Sequence, residues 1–129
     1  MKYLTSIFLV PILIVSFPCW GVTMEELIIR SNLYYEKFSA VPFSGDLDEE
    51  LYKGSFQNGK REGPWEAFYQ NGQLRFMGNY ENGKMEGPWE GYSENGLLHF
   101  KGKYKNGKYH GFWEWFNADL LIFIVSNIE

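Results

Sequence analysis

The chain has 129 residues, 19% aromatic side chains, 14 glycines and a net charge of −4. That length holds one small domain, and rings mixed with glycines favour short strands and tight turns over aliphatic helix faces. Acid and base are mixed along the chain, which does not look like the clustered Lys and Arg of a nucleic-acid footprint.

Residues 1–21, MKYLTSIFLVPILIVSFPCWG, come first. Lys2 precedes an apolar run over 3–17, and Cys19 and Gly21 stand at the −3 and −1 positions of a cut after Gly21. This is the layout of a secretory signal peptide. The alternative is an uncleaved membrane anchor, but the run is short of the roughly 20 apolar residues of a full span and Pro11 interrupts it. A lipoprotein signal needs small residues before Cys19, where Phe17 and Pro18 stand. Cleavage removes the single Cys, so the remaining chain has no thiol, disulfide or Cys-bound metal. It also removes Lys2 and no acid, which moves the net charge from −4 to −5. The expected location is the periplasm or the outside of the cell.

Residues 22–41 come next, as a predicted helical cap. Thr23 with Glu26 three residues on is a capping-box pattern. Leu27, Ser31, Tyr34, Tyr35 and Phe38 fall near one helical face, so the spacing predicts a helix over 24–38, ended by the Pro and Gly of 40–45. Repeat arrays need covered ends, which makes this helix a cap on the sheet formed by the rest of the chain. A partner-binding helix is the other reading.

The remainder, 42–129, repeats with a period of 24 residues in copies at about 52–75, 76–99 and 100–123. Gly54, Gly78 and Gly102 match, as do Gly63, Gly87 and Gly111. Asn58-Gly59, Asn82-Gly83 and Asn106-Gly107 match, each followed by Lys. Trp65-Glu66, Trp89-Glu90 and Trp113-Glu114 match too. In LRFMGNY, Leu74, Phe76, Gly78 and Tyr80 alternate with Arg75, Met77 and Asn79, so a strand with one apolar face is predicted. A turn belongs within 81–88, where Asn82-Gly83 permits positive φ, and PWEGY returns. Asn71-Gly72 and Asn95-Gly96 mark the next turns. One hairpin cannot bury its own ring-bearing face, and stacked copies can. Gly78 and Gly102 lie among large rings on one face, as if a neighbouring Trp lies flat on the backbone there.

The last copy departs from the pattern. Asp119-Leu120 replaces Asn-Gly, and Leu120, Leu121, Ile122, Phe123, Ile124 and Val125 run apolar on both faces. This is either a tucked closing strand or an exposed edge that pairs with a partner or a second copy.

The pattern G-x-[FY]-x-N-G-K-x-x-G-P-W-E-x-[FY]-x-x-N-G-x-L resembles the MORN-repeat variant of the bacterial YwqK-like antitoxin family. Gly78, Tyr80, Asn82, Gly83, Lys84, Gly87, Trp89, Glu90, Tyr92, Asn95, Gly96 and Leu98 carry it in the middle copy, and it covers roughly 42–122. The resemblance implies a mainly β fold: an open antiparallel hairpin meander of MORN-like repeats, here behind a short N-terminal helix. It implies binding or scaffolding, and its label implies a cytosolic inhibitor of a toxin, which a signal peptide argues against unless the toxin is exported.

No catalytic constellation stands out. His99 should point outward from its strand, and His110 takes the place of Glu62 and Glu86. Neither has a Cys or second His at metal-ligand spacing. Glu66, Glu90 and Glu114 recur because the repeat recurs, as charged rows on a wet face. No cofactor or metal is expected. The expectation is a non-catalytic exported module binding another protein, with a homodimer through the C-terminal strand as one form. Toxin neutralisation and lipid binding through Lys60, Arg61, Lys84, Lys101, Lys103, Lys105 and Lys108 are the alternatives.

Overall fold

The structure, a computed structural model, describes residues 21–117 and the backbone of the strand Ile122–Ile128. The signal-peptide reading of 1–21 lies outside the described residues except for Gly21, as do Leu120 and Leu121. Among the described residues no helix is long and apolar enough to cross a membrane.

The predicted helix over 24–38 is not formed. The Thr23–Glu26 signature does operate: the Glu26 carboxylate accepts from the Thr23 backbone N–H at 2.9 Å and from its hydroxyl at 3.2 Å. It caps a single 3-10 turn, Met24–Glu26. Beyond it β1 (Leu27–Arg30) and β2 (Leu33–Glu36) form an antiparallel hairpin. Ser31 and Asn32 both take positive φ, 49° and 62°, which breaks any helix and makes a two-residue hairpin turn. Ile28 lies opposite Tyr35 and Ile29 opposite Tyr34, pairs of β-branched and aromatic residues that favour strands.

The remaining strands are β3 (Gly45–Asp48), β4 (Tyr52–Gln57), β5 (Lys60–Phe68), β6 (Leu74–Glu81), β7 (Lys84–Tyr92), β8 (Leu98–Lys105), β9 (Lys108–Phe116) and β10 (Ile122–Ile128). They form one eight-stranded sheet in chain order, every neighbour antiparallel. The fold is therefore the expected hairpin meander. Two turn types alternate. At Asn58-Gly59, Asn82-Gly83 and Asn106-Gly107 both residues have positive φ, near 50° for Asn and 75° to 81° for Gly, giving two-residue loops. At Tyr69–Gln73 the loop is longer: Gly72 N–H donates to Tyr69 O at 2.9 Å and Tyr69 N–H to Gln73 O at 2.8 Å. Ser93 and Leu97 repeat that arrangement around Gly96.

Strand β7 starts at Lys84, so the turn is shorter than 81–88. Gly87, at φ 71°, lies inside the strand, where the register of β6 against β7 shifts between Met77 and Asn79. The same bulge recurs at Gly63 and Gly111, between Lys53/Ser55 and Lys101/Lys103 on the partner strands. It seats the Trp. Trp65, Trp89 and Trp113 lie flat on Gly54, Gly78 and Gly102, so that a Cβ on those glycines would stand 2.3, 2.1 and 2.2 Å from indole carbons. Each indole N–H donates to the carbonyl just after its glycine: Ser55, Asn79 and Lys103, at 3.1, 3.2 and 3.0 Å.

These rings make a continuous inner row. Phe56, Trp65, Tyr80, Trp89, Tyr104 and Trp113 follow one another at centroid distances of 5.0, 5.8, 5.2, 5.8 and 4.9 Å, every pair edge-to-face. Tyr34 of β2 and Phe43 extend the row, at 4.8 and 5.5 Å from Phe56. The N-terminal segment thus covers this end of the array as a hairpin. Tyr34 N–H donates to Gly59 O and Phe43 N–H to Tyr34 O, both at 2.8 Å.

Successive repeats are also tied at their Asn-Gly turns. Gly83 N–H donates to Arg61 O at 3.0 Å and Gly107 N–H to Met85 O at 2.9 Å. The N–H of Asn82 goes to the Glu62 carboxylate at 2.8 Å, and that of Asn106 to Glu86 at 2.7 Å. In the first repeat the Ser44 hydroxyl serves Asn58 at 2.8 Å.

Candidate binding surface

With the rings on one face, period two puts the intervening residues on the other. Cross-strand pairing lines up a row there: Asp48, Lys53, Glu66, Met77, Glu90, Lys101 and Glu114. Charges alternate along it except at Met77. Lys53 bridges Asp48 at 3.0 Å and Lys101 bridges Glu114 at 2.9 Å. The Glu114 partner raises the Lys101 pKa, first through the hydrogen bond and then through charge. Glu90 also accepts the Tyr92 hydroxyl at 2.6 Å, and this bond holds the phenol above its usual range. Glu90 and Glu114 flank Lys101, so they form part of an ion-pair row.

At the third repeat this face is grooved. A depression of about 430 Å³ runs between Pro88, Glu90, Lys101, Lys103, His110 and Phe112. Phe112 is 73% exposed. It occupies the position held by Pro64 and Pro88 in the earlier copies, next to the Gly111 bulge. A large ring standing open on a charged face, flanked by both signs of charge, has the make-up of an interface anchor with a polar rim.

His99 and His110 are both exposed, and His99 Nδ1 faces the Phe116 carbonyl at 3.1 Å. His110 lies opposite Lys103. Among the described residues no three His, Cys, Asp or Glu side chains converge as a metal site would require. The seven cations raised for lipid binding do not form one patch. Lys60, Lys84 and Lys108 each follow an Asn-Gly turn, whereas Lys101 and Lys103 stand on the outer face of β8. Lys101 is committed to Glu114.

The apolar C-terminal segment is a strand: β10 pairs with β9, Ile122 opposite Phe116 and Val125 opposite Trp113, and forms one border of the sheet. The opposite border, β3, has four residues and carries Asp46 and Asp48, the short, charged form of an edge that resists further pairing.

Phe112 and Met77 do not stand out in the sequence, and Arg61 does so only as one of seven cations. All three are departures from the repeat, Phe112 from Pro64 and Pro88, Arg61 from Met85 and Tyr109, and Met77 from the lysines at 53 and 101. Comparing copies for their differences would have found them.

No protein-family model, no curated protein and no solved structure matches the chain.

Proposed function

We propose that the chain is a non-catalytic, exported repeat module that binds another protein through the outer face of its sheet. The observation that carries this reading is Phe112, exposed beside the groove of the third repeat. Beside a groove, a side chain of that size can anchor recognition, since burying it against a partner recovers on the order of 2 kcal/mol. The sheet behind it is held rigid by the ring row and the turn-to-turn bonds, so the surface is preorganised. The resemblance to MORN-like repeats points the same way, toward scaffolding or binding. Export rests on the layout of 1–21 alone.

A photo-reactive amino acid at Phe112, irradiated in the native cell and followed by mass spectrometry, tests it. The expected result is one discrete adduct at the envelope or in the medium, weakened when Lys103 is replaced by Glu. The same probe at Arg75, on the first part of the outer face, should give less of it. Absence of any adduct at Phe112, or equal labelling at Arg75, overturns the reading. An adduct to a small toxic protein would instead support the antitoxin alternative.

A further inference from the structure

A second groove, of about 420 Å³, lies at the N-terminal end of the array, beside the Asn-Gly turns. Lys60, Arg61 and Lys84 line it together with Tyr34, Asn82 and Ile29, and no acid does. Three cations around one depression are unexpected in a chain of net charge −4.

Arg61 is the distinctive member. Its guanidinium carbon lies 4.9 Å from the ring centre of Trp65, 5.2 Å from Tyr80 and 5.3 Å from Tyr34. Nη1 donates to the Tyr80 hydroxyl at 2.9 Å. Nε is buried and has no hydrogen-bond partner. A buried donor on a charged group is costly to leave unpaired, and with Nε closed off and Nη1 on Tyr80, Nη2 is the nitrogen left to meet a carboxylate oxygen from the groove. The core does not call for a cation there, because the same repeat position holds Met85 and Tyr109. Cation–ring contacts fix the fork in place. On the same wall Lys60 Nζ is steadied by Asn82 Oδ1 at 3.1 Å, and Ile29 on the rim is 61% exposed.

From this geometry we infer that the groove holds an acidic peptide segment of a partner protein, one carboxylate on Arg61 Nη2 and an apolar neighbour against Ile29. Lys60 and Lys84 balance the flanking acids. The inference takes its ligand class from the partner-binding reading, but it concerns a different surface from Phe112, so each can fail alone.

The test titrates the purified full chain with a hexapeptide alternating Glu and Val, read by NMR. The expected result is movement of the Arg61 Nε–H and of the Gly59, Lys60, Gly83 and Lys84 amides, diminishing as salt rises. A Gln/Val peptide should bind about ten-fold more weakly, the loss of one charge-assisted bond. Arg61→Met, which installs the residue the second repeat carries, should weaken the Glu/Val peptide by about ten-fold too. Lys84→Ser, at an exposed position, should weaken it by roughly three-fold, and decides the matter if Arg61→Met does not fold. Inorganic phosphate and vesicles of phosphatidylglycerol are the competing probes. Shifts confined to other residues, equal binding of the Gln peptide, unchanged affinity in both variants, or tighter binding of phosphate or vesicles would each overturn the inference. A positive Phe112 adduct beside a negative titration would leave the outer-face reading standing alone.

Discussion

Replacing Gly78 by Ala tests the construction of the whole array. The added Cβ would stand 2.1 Å from Trp89 Cδ2 and 2.2 Å from Cε2. Ordinary carbon contacts need about 3.5 to 4.0 Å, so the indole must retreat by roughly 1.5 Å. Trp89 is 4% exposed and wedged edge-on between Tyr80 and Tyr104, which leaves it no free direction. Overpacking of that kind costs about 1–3 kcal/mol, and pulling the indole N–H from Asn79 O adds about 1 kcal/mol. The unfolded chain gives back about 0.4–1 kcal/mol by losing glycine's freedom. The net expectation is a loss of about 1–3.5 kcal/mol, or roughly 5–25 °C in unfolding midpoint for a domain near 100 residues. Gly87→Ala is the internal control. There the Cβ meets nothing within 4 Å, and the cost comes from φ of +71°, about 1 kcal/mol after the same entropic offset. Denaturant unfolding followed by Trp fluorescence measures both. Gly78→Ala within about 0.5 kcal/mol of the parent, or no more damaging than Gly87→Ala, would refute the claim that indoles paved onto glycine hold the sheet.

Met77→Lys should stabilise by about 0.2–1 kcal/mol, since it places a cation between Glu66 and Glu90 and completes the alternating row; the gain, read as a rise in denaturant midpoint, should vanish at high salt. Glu86→Ala removes the acceptor of the Asn106 N–H and should cost about 0.5–1 kcal/mol, with faster hydrogen exchange at that amide and little change at Asn82. Burial, then the hydrogen bond with Tyr109, holds the Tyr104 pKa above its ordinary value. Its folded pKa being raised, the contribution is whole below about pH 10 and is lost as pH climbs past it, so unfolding midpoints should fall in that range and Tyr104→Phe should flatten the decline.

The repeat is legible in the sequence because each of its signals is local. Asn-Gly demands a two-residue turn, LRFMGNY alternates strictly, and Gly78 among rings announces a close approach. Residues 24–38 mislead because two periods compete there. Leu27, Ser31, Tyr34, Tyr35 and Phe38 fit a helical face, and the capping box is real. Ile28, Ile29, Tyr34 and Tyr35 fit strands equally well, and the deciding contacts are tertiary: Tyr34 bonds the Gly59 and Phe43 backbones and sets its ring on Phe56. Nothing local encodes those partners. The Gly87 bulge reads as part of a turn for a related reason, because positive φ serves both and only the register distinguishes them. The candidate surfaces are hidden by the repeat itself, which draws attention to matches when Phe112 and Arg61 are mismatches.

The joints between hairpins are interchangeable parts. Arg61 O and Glu62 receive the turn of the second copy just as Met85 O and Glu86 receive that of the third. Excising residues 76–99 in frame would bring Asn106 and Gly107 onto the seats vacated by Asn82 and Gly83. The sheet would shrink by two strand spacings, about 9.6 Å, while both its borders stayed as they are. The distance between the Arg61 groove and Phe112 is therefore a heritable length, adjustable in whole steps by gain or loss of a copy, and the molecule can serve as a gauge whose gradations are 24 codons apart.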